Sequence, residues 1–62
     1  MPIVNIQLLD GRDSETKRKL LATVTEAVIS TLQVPPEKVR VILQEIPPEN
    51  WAVAGQPLGT VV

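Results

Sequence analysis

The 62-residue sequence predicts an α+β fold: a β-α-β subunit with two parallel strands and one long helix, followed by a short C-terminal hairpin or strand. Three observations support this prediction. Apolar residues alternate with other residues in two segments, which is typical of strands. Between these segments they recur every three or four residues, which is typical of an amphipathic helix. Two Pro-Pro pairs bound the second strand. The length is that of a single domain over residues 1–62.

The first strand is predicted at residues 3–9, where the side chains divide into two faces. One face is apolar and contains Val4, Ile6 and Leu8. The other face mixes polar and apolar side chains, namely Ile3, Asn5, Gln7 and Leu9.

The helix is predicted to follow the turn at Asp10-Gly11 and to extend to about Leu32. Asp13 or Ser14 caps it, because a short side-chain oxygen accepts a hydrogen bond from a free N–H of the first turn. Pro35-Pro36 cannot continue the helix. Its predicted apolar stripe consists of Leu20, Leu21, Val24, Ala27, Val28 and Leu32.

The second strand is predicted at residues 39–46, with Val39, Val41 and Leu43 on one face. A helix between two strands favours a parallel pair with a right-handed crossover. The tail, residues 49–62, is predicted to hold a short strand or hairpin. The second face of the sheet carries Arg40, Ile42, Gln44 and Ile46.

A chain this short buries only about 60% of the surface that its unfolded form exposes, and such chains usually need a disulfide, a metal or a partner subunit. It has no Cys and no His, so disulfides and the usual zinc or haem ligands are excluded. If side chains on the second face such as Ile3 and Ile42 remain exposed to water, the fold loses about 1.5–3 kcal/mol of stabilisation for each of them. We therefore expect the chain to assemble with further copies of itself.

Composition also excludes several classes of partner. Six Lys and Arg against seven Asp and Glu, with Trp51 as the only aromatic residue, do not favour nucleic acid. No stretch reaches the roughly 20 apolar residues of a membrane span, and no signal peptide is visible. We expect no membrane association and a cytoplasmic location.

Pro2 is the first candidate for chemistry, since neither a Ser-His nor a Cys-His pair is possible. Removal of Met1 leaves Pro2 with a free secondary amine. An α-amino group has a pKa of about 7.7–8.0, and burial or nearby cations lower it towards the pH at which a general base is most efficient. The alternative is that Pro2 only starts a strand, where a missing N–H has no cost.

Three further residues are candidates for the site, namely Arg12, Arg40 and Trp51. For each of them, a purely structural role is the alternative. Arg12 follows the turn and is either a solvated residue or a ligand for an anion. Arg40 lies within an apolar strand, so it needs a carboxylate from a substrate or from a neighbouring subunit. Trp51 is either a hydrophobic wall of a site or a contact between subunits.

The spacing of four segments resembles that of the 4-oxalocrotonate tautomerase family, the small single-βαβ-subunit members of the tautomerase superfamily. The resemblance covers essentially the whole chain. It rests on Met1-Pro2-Ile3, Asp10-Gly11-Arg12, Val39-Arg40-Val41-Ile42 and Asn50-Trp51-Ala52-Val53-Ala54-Gly55.

The resemblance implies a homohexamer, built as a trimer of dimers, and a cofactor-free 1,3-keto–enol tautomerisation of a carboxylate substrate such as 2-hydroxymuconate. Pro2 matches the catalytic proline. Arg12 matches an arginine that binds a distal carboxylate, and Arg40 one that contacts the 2-oxo or 2-hydroxy group, typically from a neighbouring subunit. Leu9 lies at a pocket-lining position, and Trp51 replaces the Phe of the best-known members. The implied setting is aromatic hydrocarbon catabolism, although the residues themselves leave the pathway open.

Two other functions stay open. Relatives that hydrate or dehalogenate unsaturated acids need a second group, typically a Glu, to activate water, and Ala52-Val53-Ala54-Gly55 contains none. Glu45 and Glu49 are the remaining carboxylates for that role. If Met1 is retained, the Pro2 nitrogen is an amide, and a non-catalytic binding module is the better interpretation.

Overall fold

The computed structural model describes residues 2–59, so Met1 and the end of the predicted tail, residues 60–62, lie outside the described residues. The chain runs through strand β1 (Ile3–Leu9), helix α1 (Ser14–Leu32) and strand β2 (Arg40–Ile46). A hairpin of strands β3 (Ala52–Val53) and β4 (Gln56–Pro57) follows. Strands β1 and β2 are parallel, which confirms the predicted β-α-β fold.

The register of the β1–β2 pair separates two faces of the sheet. Ile3 lies opposite Arg40, and the pairing continues without interruption to Leu9 opposite Ile46. The covered face, which α1 packs against, contains Val4, Ile6, Leu8, Val41 and Leu43, all half-buried. The open face contains Ile3, Asn5, Gln7, Leu9, Arg40, Ile42, Gln44 and Ile46. The open face therefore has the predicted composition, and the covered face has it except for Val39, which lies outside β2.

Helix α1 begins after Asp13, one of the two predicted caps. The Thr16 N–H donates to Asp13 Oδ1 at 2.9 Å. Hydrogen bonds from Thr16 hold the pKa of the Asp13 carboxyl below its usual range. The helix ends at Gln33, whose left-handed backbone (φ 57°) lets its N–H donate to the Ile29 carbonyl at 2.9 Å.

The stripe of α1 that meets the sheet differs from the prediction in two ways: two predicted residues are exposed, and three residues that were not predicted are half-buried. Ala27 is exposed, and Leu32 in the last turn is 55% exposed. Ala27 lies at the edge of the stripe when residues are spaced by 100° around the helix axis. The half-buried residues of α1 are Lys17, Leu20, Leu21, Val24, Thr25, Val28 and Ile29, of which Lys17, Thr25 and Ile29 were not predicted.

Strand β2 begins at Arg40, one residue later than predicted. Residues Pro36–Lys38 form a short 3₁₀ turn, and the Val39 N–H donates to the Pro36 carbonyl at 3.1 Å. That hydrogen bond holds Val39 in the turn and keeps it out of the β1–β2 ladder.

The C-terminal hairpin that the tail predicts is present. Strands β3 and β4 are antiparallel, with Ala52 opposite Pro57 and Val53 opposite Gln56. Ala54 and Gly55 connect them with φ of 53° and 80°. Two successive positive φ angles are typical of the tightest hairpin turns, and a glycine at the second position removes the Cβ that disfavours them.

A single subunit lacks a buried core. None of the residues from 2 to 59 is fully buried, and Ile3 and Ile42 on the open face are 58% and 50% exposed. The radius of gyration is 14.8 Å, whereas a compact domain of this length has about 11 Å. In the described part of the chain, no helix is long and apolar enough to cross a membrane.

Candidate active site

Pro2 and Arg40 lie together where both strands of the sheet begin. The Arg40 N–H donates to the Pro2 carbonyl at 3.0 Å, which extends the β1–β2 ladder by one residue. Pro2 is half-buried. The Arg40 guanidinium donates through Nη1 to the Glu37 carbonyl in the first 3₁₀ turn, at 2.7 Å. A guanidinium has five N–H groups, so this hydrogen bond leaves most of them free to bind an anion.

Leu9 and Arg12 lie at the opposite end of the sheet, where the strands end. The Asp10 N–H donates to the Ile46 carbonyl at 3.0 Å and closes the ladder there. Gly11 follows with φ of 114°, a conformation that favours glycine. This turn leaves Arg12 exposed, directly before the residue that caps α1, while Leu9 is half-buried.

Trp51 lies at the same end as Leu9 because a second 3₁₀ turn, Pro48–Asn50, reverses the chain after β2. Its N–H donates to the Pro48 carbonyl at 3.2 Å, and its side chain is half-buried. A shallow depression of ≈ 350 Å³ lies beside it, lined by Gln7, Ile46, Asn50, Trp51 and Ala52. The indole therefore forms part of a concave surface that continues the open face.

The five predicted site residues thus form two groups. Pro2 and Arg40 are at the beginning of the sheet, and Leu9, Arg12 and Trp51 are at its end. Strand β1 separates the groups by about 20 Å at 3.3 Å per residue. No arginine side chain spans that distance, so one chain does not bring Pro2 and Arg12 together.

The sequence-based list of site residues omitted the amides of the open face. Gln7 Nε2 donates to Gln44 Oε1 at 3.2 Å, and Gln7 also lines the depression beside Trp51. The signal was the alternation of β1, which puts Gln7 on the same face as Leu9. Asn50 had no such signal, since only the second 3₁₀ turn brings it to the depression.

The two carboxylates considered for water activation have different surroundings. Glu45 lies on the α1 side of β2, where Lys17 Nζ donates to its Oε1 at 3.0 Å. This ion pair turns the Glu45 carboxylate away from the open face. Glu49 is exposed in the second 3₁₀ turn. Within residues 2–59, no three Asp or Glu side chains come together as a metal ion would require.

Comparison with known proteins agrees with this architecture. The family model described as "Tautomerase enzyme" matches residues 2–61. A structure of a 4-oxalocrotonate tautomerase isozyme from Methylibium petroleiphilum superposes with a TM-score of 0.89 at 46% identity, covering 92% of this chain and 89% of that one. The chain belongs to the 4-oxalocrotonate tautomerase family. The resemblance in sequence is thereby confirmed.

Other members of the family that resemble this chain come from several bacteria. A 2-hydroxymuconate tautomerase from Pseudomonas fluorescens is 42% identical over 57 residues, which are 92% of this chain and 90% of that protein. One from Bacillus subtilis strain 168 is 43% identical over 58 residues, 94% of each chain. A heterohexameric 4-oxalocrotonate tautomerase from Chloroflexus aurantiacus J-10-fl has a TM-score of 0.89 at 36% identity, covering 94% of both chains.

Proposed function

We propose that this chain is a cofactor-independent tautomerase. It interconverts the enol and keto forms of a 2-hydroxydienoate or 2-oxo acid such as 2-hydroxymuconate, in a site shared between subunits. The observation that carries the proposal is the position of Pro2 at the start of β1, where its carbonyl accepts a hydrogen bond from the backbone N–H of Arg40. The family match over residues 2–61 supports the same activity.

The proposed base is the Pro2 nitrogen, freed by removal of Met1. A cation near this amine lowers its pKa towards neutrality, where the unprotonated form that accepts a proton is abundant. The nitrogen takes the proton from the 2-hydroxyl group of the substrate. The O–H electron pair forms the carbonyl, the double bonds shift along the chain, and a distal carbon takes the proton back from Pro2. No electrons are gained or lost, so the reaction needs no cofactor.

The two arginines hold the charged ends of the substrate. Arg12 binds the distal carboxylate, and Arg40 contacts the 2-oxo or 2-hydroxy group and its adjacent carboxylate. Bidentate, charge-assisted hydrogen bonds of this kind fix orientation as well as adding binding energy. Arg40 also stabilises the negative charge that develops on the oxygen as its proton leaves. Leu9 and Trp51 supply an apolar wall that keeps water away from the reacting atoms.

An oligomer completes this site. Because about 20 Å of strand separates Pro2 from Arg12 in one chain, we assign Arg12, Leu9 and Trp51 of each site to a second subunit. The Arg40 that contacts the substrate comes from a further neighbouring subunit, whereas the Arg40 of the chain that supplies Pro2 contacts that proline through its backbone. A homohexamer built as a trimer of dimers provides such neighbours. The exposed apolar side chains of the open face, Ile3 at 58% and Ile42 at 50%, supply the surface for assembly.

Replacement of Pro2 by Ala tests the proposal. Met1 is still removed before Ala, so the variant differs from the natural protein only in the ring of its terminal residue. We expect kcat on 2-hydroxymuconate, followed by ultraviolet absorbance, to fall by about 10²–10⁴-fold, the contribution of a general base. Pro57→Ala, in the exposed strand β4, is the matched control and retains activity. Turnover by Pro2→Ala close to that of the unmodified chain would exclude Pro2 as the base.

A further inference from the structure

Trp51 lies in a loop, residues 48–59, whose first and last residues are joined by a hydrogen bond. Residues 48–59 leave and return to the same point, the Pro48 carbonyl, which accepts hydrogen bonds from the Trp51 N–H at 3.2 Å and the Gly59 N–H at 3.1 Å. The Leu58 N–H donates to the Trp51 carbonyl at 2.8 Å. The backbone of Trp51 is therefore held on both its N–H and its carbonyl side.

The closure depends on a very close approach between Gly59 and Pro48. A Cβ atom at Gly59 would lie 2.5 Å from Pro48 Cβ and 3.0 Å from the Glu49 nitrogen and the Pro48 carbonyl carbon. The φ angle of Gly59 is not in the left-handed region, so the lack of space alone requires glycine there. The atoms that block a side chain belong to a proline ring and to the backbone, which cannot swing aside.

We propose that the contact between Gly59 and Pro48 is a clasp that fixes the position of Trp51, because the Pro48 carbonyl accepts hydrogen bonds from both the Gly59 and the Trp51 N–H. Gly59 is then a positioning residue for the apolar wall of the site. Any side chain at Gly59 pushes the end of the hairpin away from the second 3₁₀ turn, and the hydrogen bonds that hold Trp51 lengthen or break. The effect on substrate rests on the proposed function, whereas the effect on Trp51 does not.

The sequence provides a direct readout, because Trp51 is the only aromatic residue and all of the indole fluorescence comes from it. We expect Gly59→Ala to shift the emission to longer wavelength and to lower its anisotropy, since the indole becomes more exposed and more mobile. Assayed with 2-hydroxymuconate, the same variant has a KM raised several-fold and a kcat that changes less. Gln56→Ala, exposed in β4, is the control and leaves all of these unchanged.

Two results separate the clasp from the proposed activity. If the emission and anisotropy change while the unmodified chain shows no tautomerase activity, the clasp stands and the proposed function fails. If Gly59→Ala is folded by circular dichroism and its Trp51 emission, anisotropy and KM match those of the unmodified chain, the clasp is wrong. Should Gly59→Ala not fold, Pro48→Gly removes the other side of the contact. Lower Trp51 anisotropy in Pro48→Gly then supports the clasp, and unchanged anisotropy overturns it.

Discussion

The two ends of the β1–β2 sheet differ in what each could do alone. The beginning of the sheet presents Pro2, whose carbonyl accepts a hydrogen bond from the Arg40 N–H, whereas Trp51 and the depression beside it lie at the other end. The end of the sheet presents Arg12 and a depression beside Trp51, about 20 Å of strand away from Pro2, the proposed base. In the proposed function each end supplies half of the site, so catalysis depends on bringing opposite ends of different subunits together.

The same requirement follows from stability. No residue in the described range 2–59 is buried in the single chain, and the open face keeps Ile3 and Ile42 in water. Burying such side chains is worth about 1.5–3 kcal/mol each, a large part of the stability of a domain this small. Contacts between subunits would therefore both stabilise the fold and assemble the site.

Blocking the Pro2 nitrogen, at the beginning of the sheet, is expected to lower tautomerase activity the most. Insertion of Lys between Met1 and Pro2 prevents removal of Met1, because the initiator is trimmed only before small residues. The Pro2 nitrogen then becomes an amide without basicity, and we expect tautomerase activity to fall to background. Intact mass verifies the retained residues, and size-exclusion chromatography verifies that the oligomer persists. Activity that survives the insertion would place the base elsewhere.

Removal of the positive charge of Arg12, at the end of the sheet, is expected to have the next largest effect on tautomerase activity. Arg12→Ala removes a charge-assisted hydrogen bond to the distal carboxylate, worth about 1.5–3 kcal/mol. We therefore expect kcat/KM for a dicarboxylate to fall by about 10–100-fold. Arg18→Ala, exposed in α1, controls for the lost charge. If both variants lose activity equally, Arg12 does not contact substrate.

A smaller effect, a change in KM, is expected from substitutions of Trp51 in the apolar wall of the proposed site. Trp51→Phe retains most of the apolar area beside the depression, so the change in KM should stay below about tenfold. Trp51→Ala removes that area and should raise KM further than Trp51→Phe does. Steady-state kinetics on 2-hydroxymuconate distinguishes the two variants. Equal KM values for both would mean that the indole does not border the substrate.

The smallest expected effect is on thermal stability and comes from Asp13, which lies outside the proposed site. Asp13→Ala removes the cap of α1, lowers Tm by a few degrees at neutral pH and leaves kcat unchanged. Because hydrogen bonds from Thr16 lower the pKa of Asp13 in the folded chain, its contribution is present above the unfolded pKa of about 3.9. That contribution is lost as the pH falls through the lower, folded pKa. Thermal melts from pH 7 to pH 3 should therefore show the difference in Tm shrinking, and a constant difference would contradict this role of Asp13.

The elements of the fold were predictable because each has a local cause. The alternation of apolar residues predicted β1, and a short polar side chain predicted the helix cap that Asp13 forms. Pro35-Pro36 predicted that the helix ends before them. The start of β2 was less predictable, since it depends on one hydrogen bond from Val39 into a 3₁₀ turn. The hairpin was predicted only as an alternative to a single strand, because two residues per strand leave almost no periodicity.

The site was predictable as a set of residues but not as an arrangement. Nothing in the spacing of Pro2 and Arg12 reveals that they lie at opposite ends of one strand. That separation follows only once the parallel pairing of β1 and β2 is known. The contact of Gly59 with Pro48 was likewise invisible, since it joins residues brought together by two successive turns.

A mixing experiment tests the shared site most directly. Chains carrying Pro2→Ala and chains carrying Arg12→Ala, each expected to have at most about a tenth of the natural kcat/KM, are unfolded together and refolded as mixed oligomers. If Pro2 and Arg12 of one site come from different subunits, about one quarter of the sites in a random mixture contain both natural residues. The account predicts that activity returns to about that level, while Pro2→Ala mixed with the Pro2→Ala/Arg12→Ala chain stays inactive. Mixed oligomers no more active than the separate variants would contradict it.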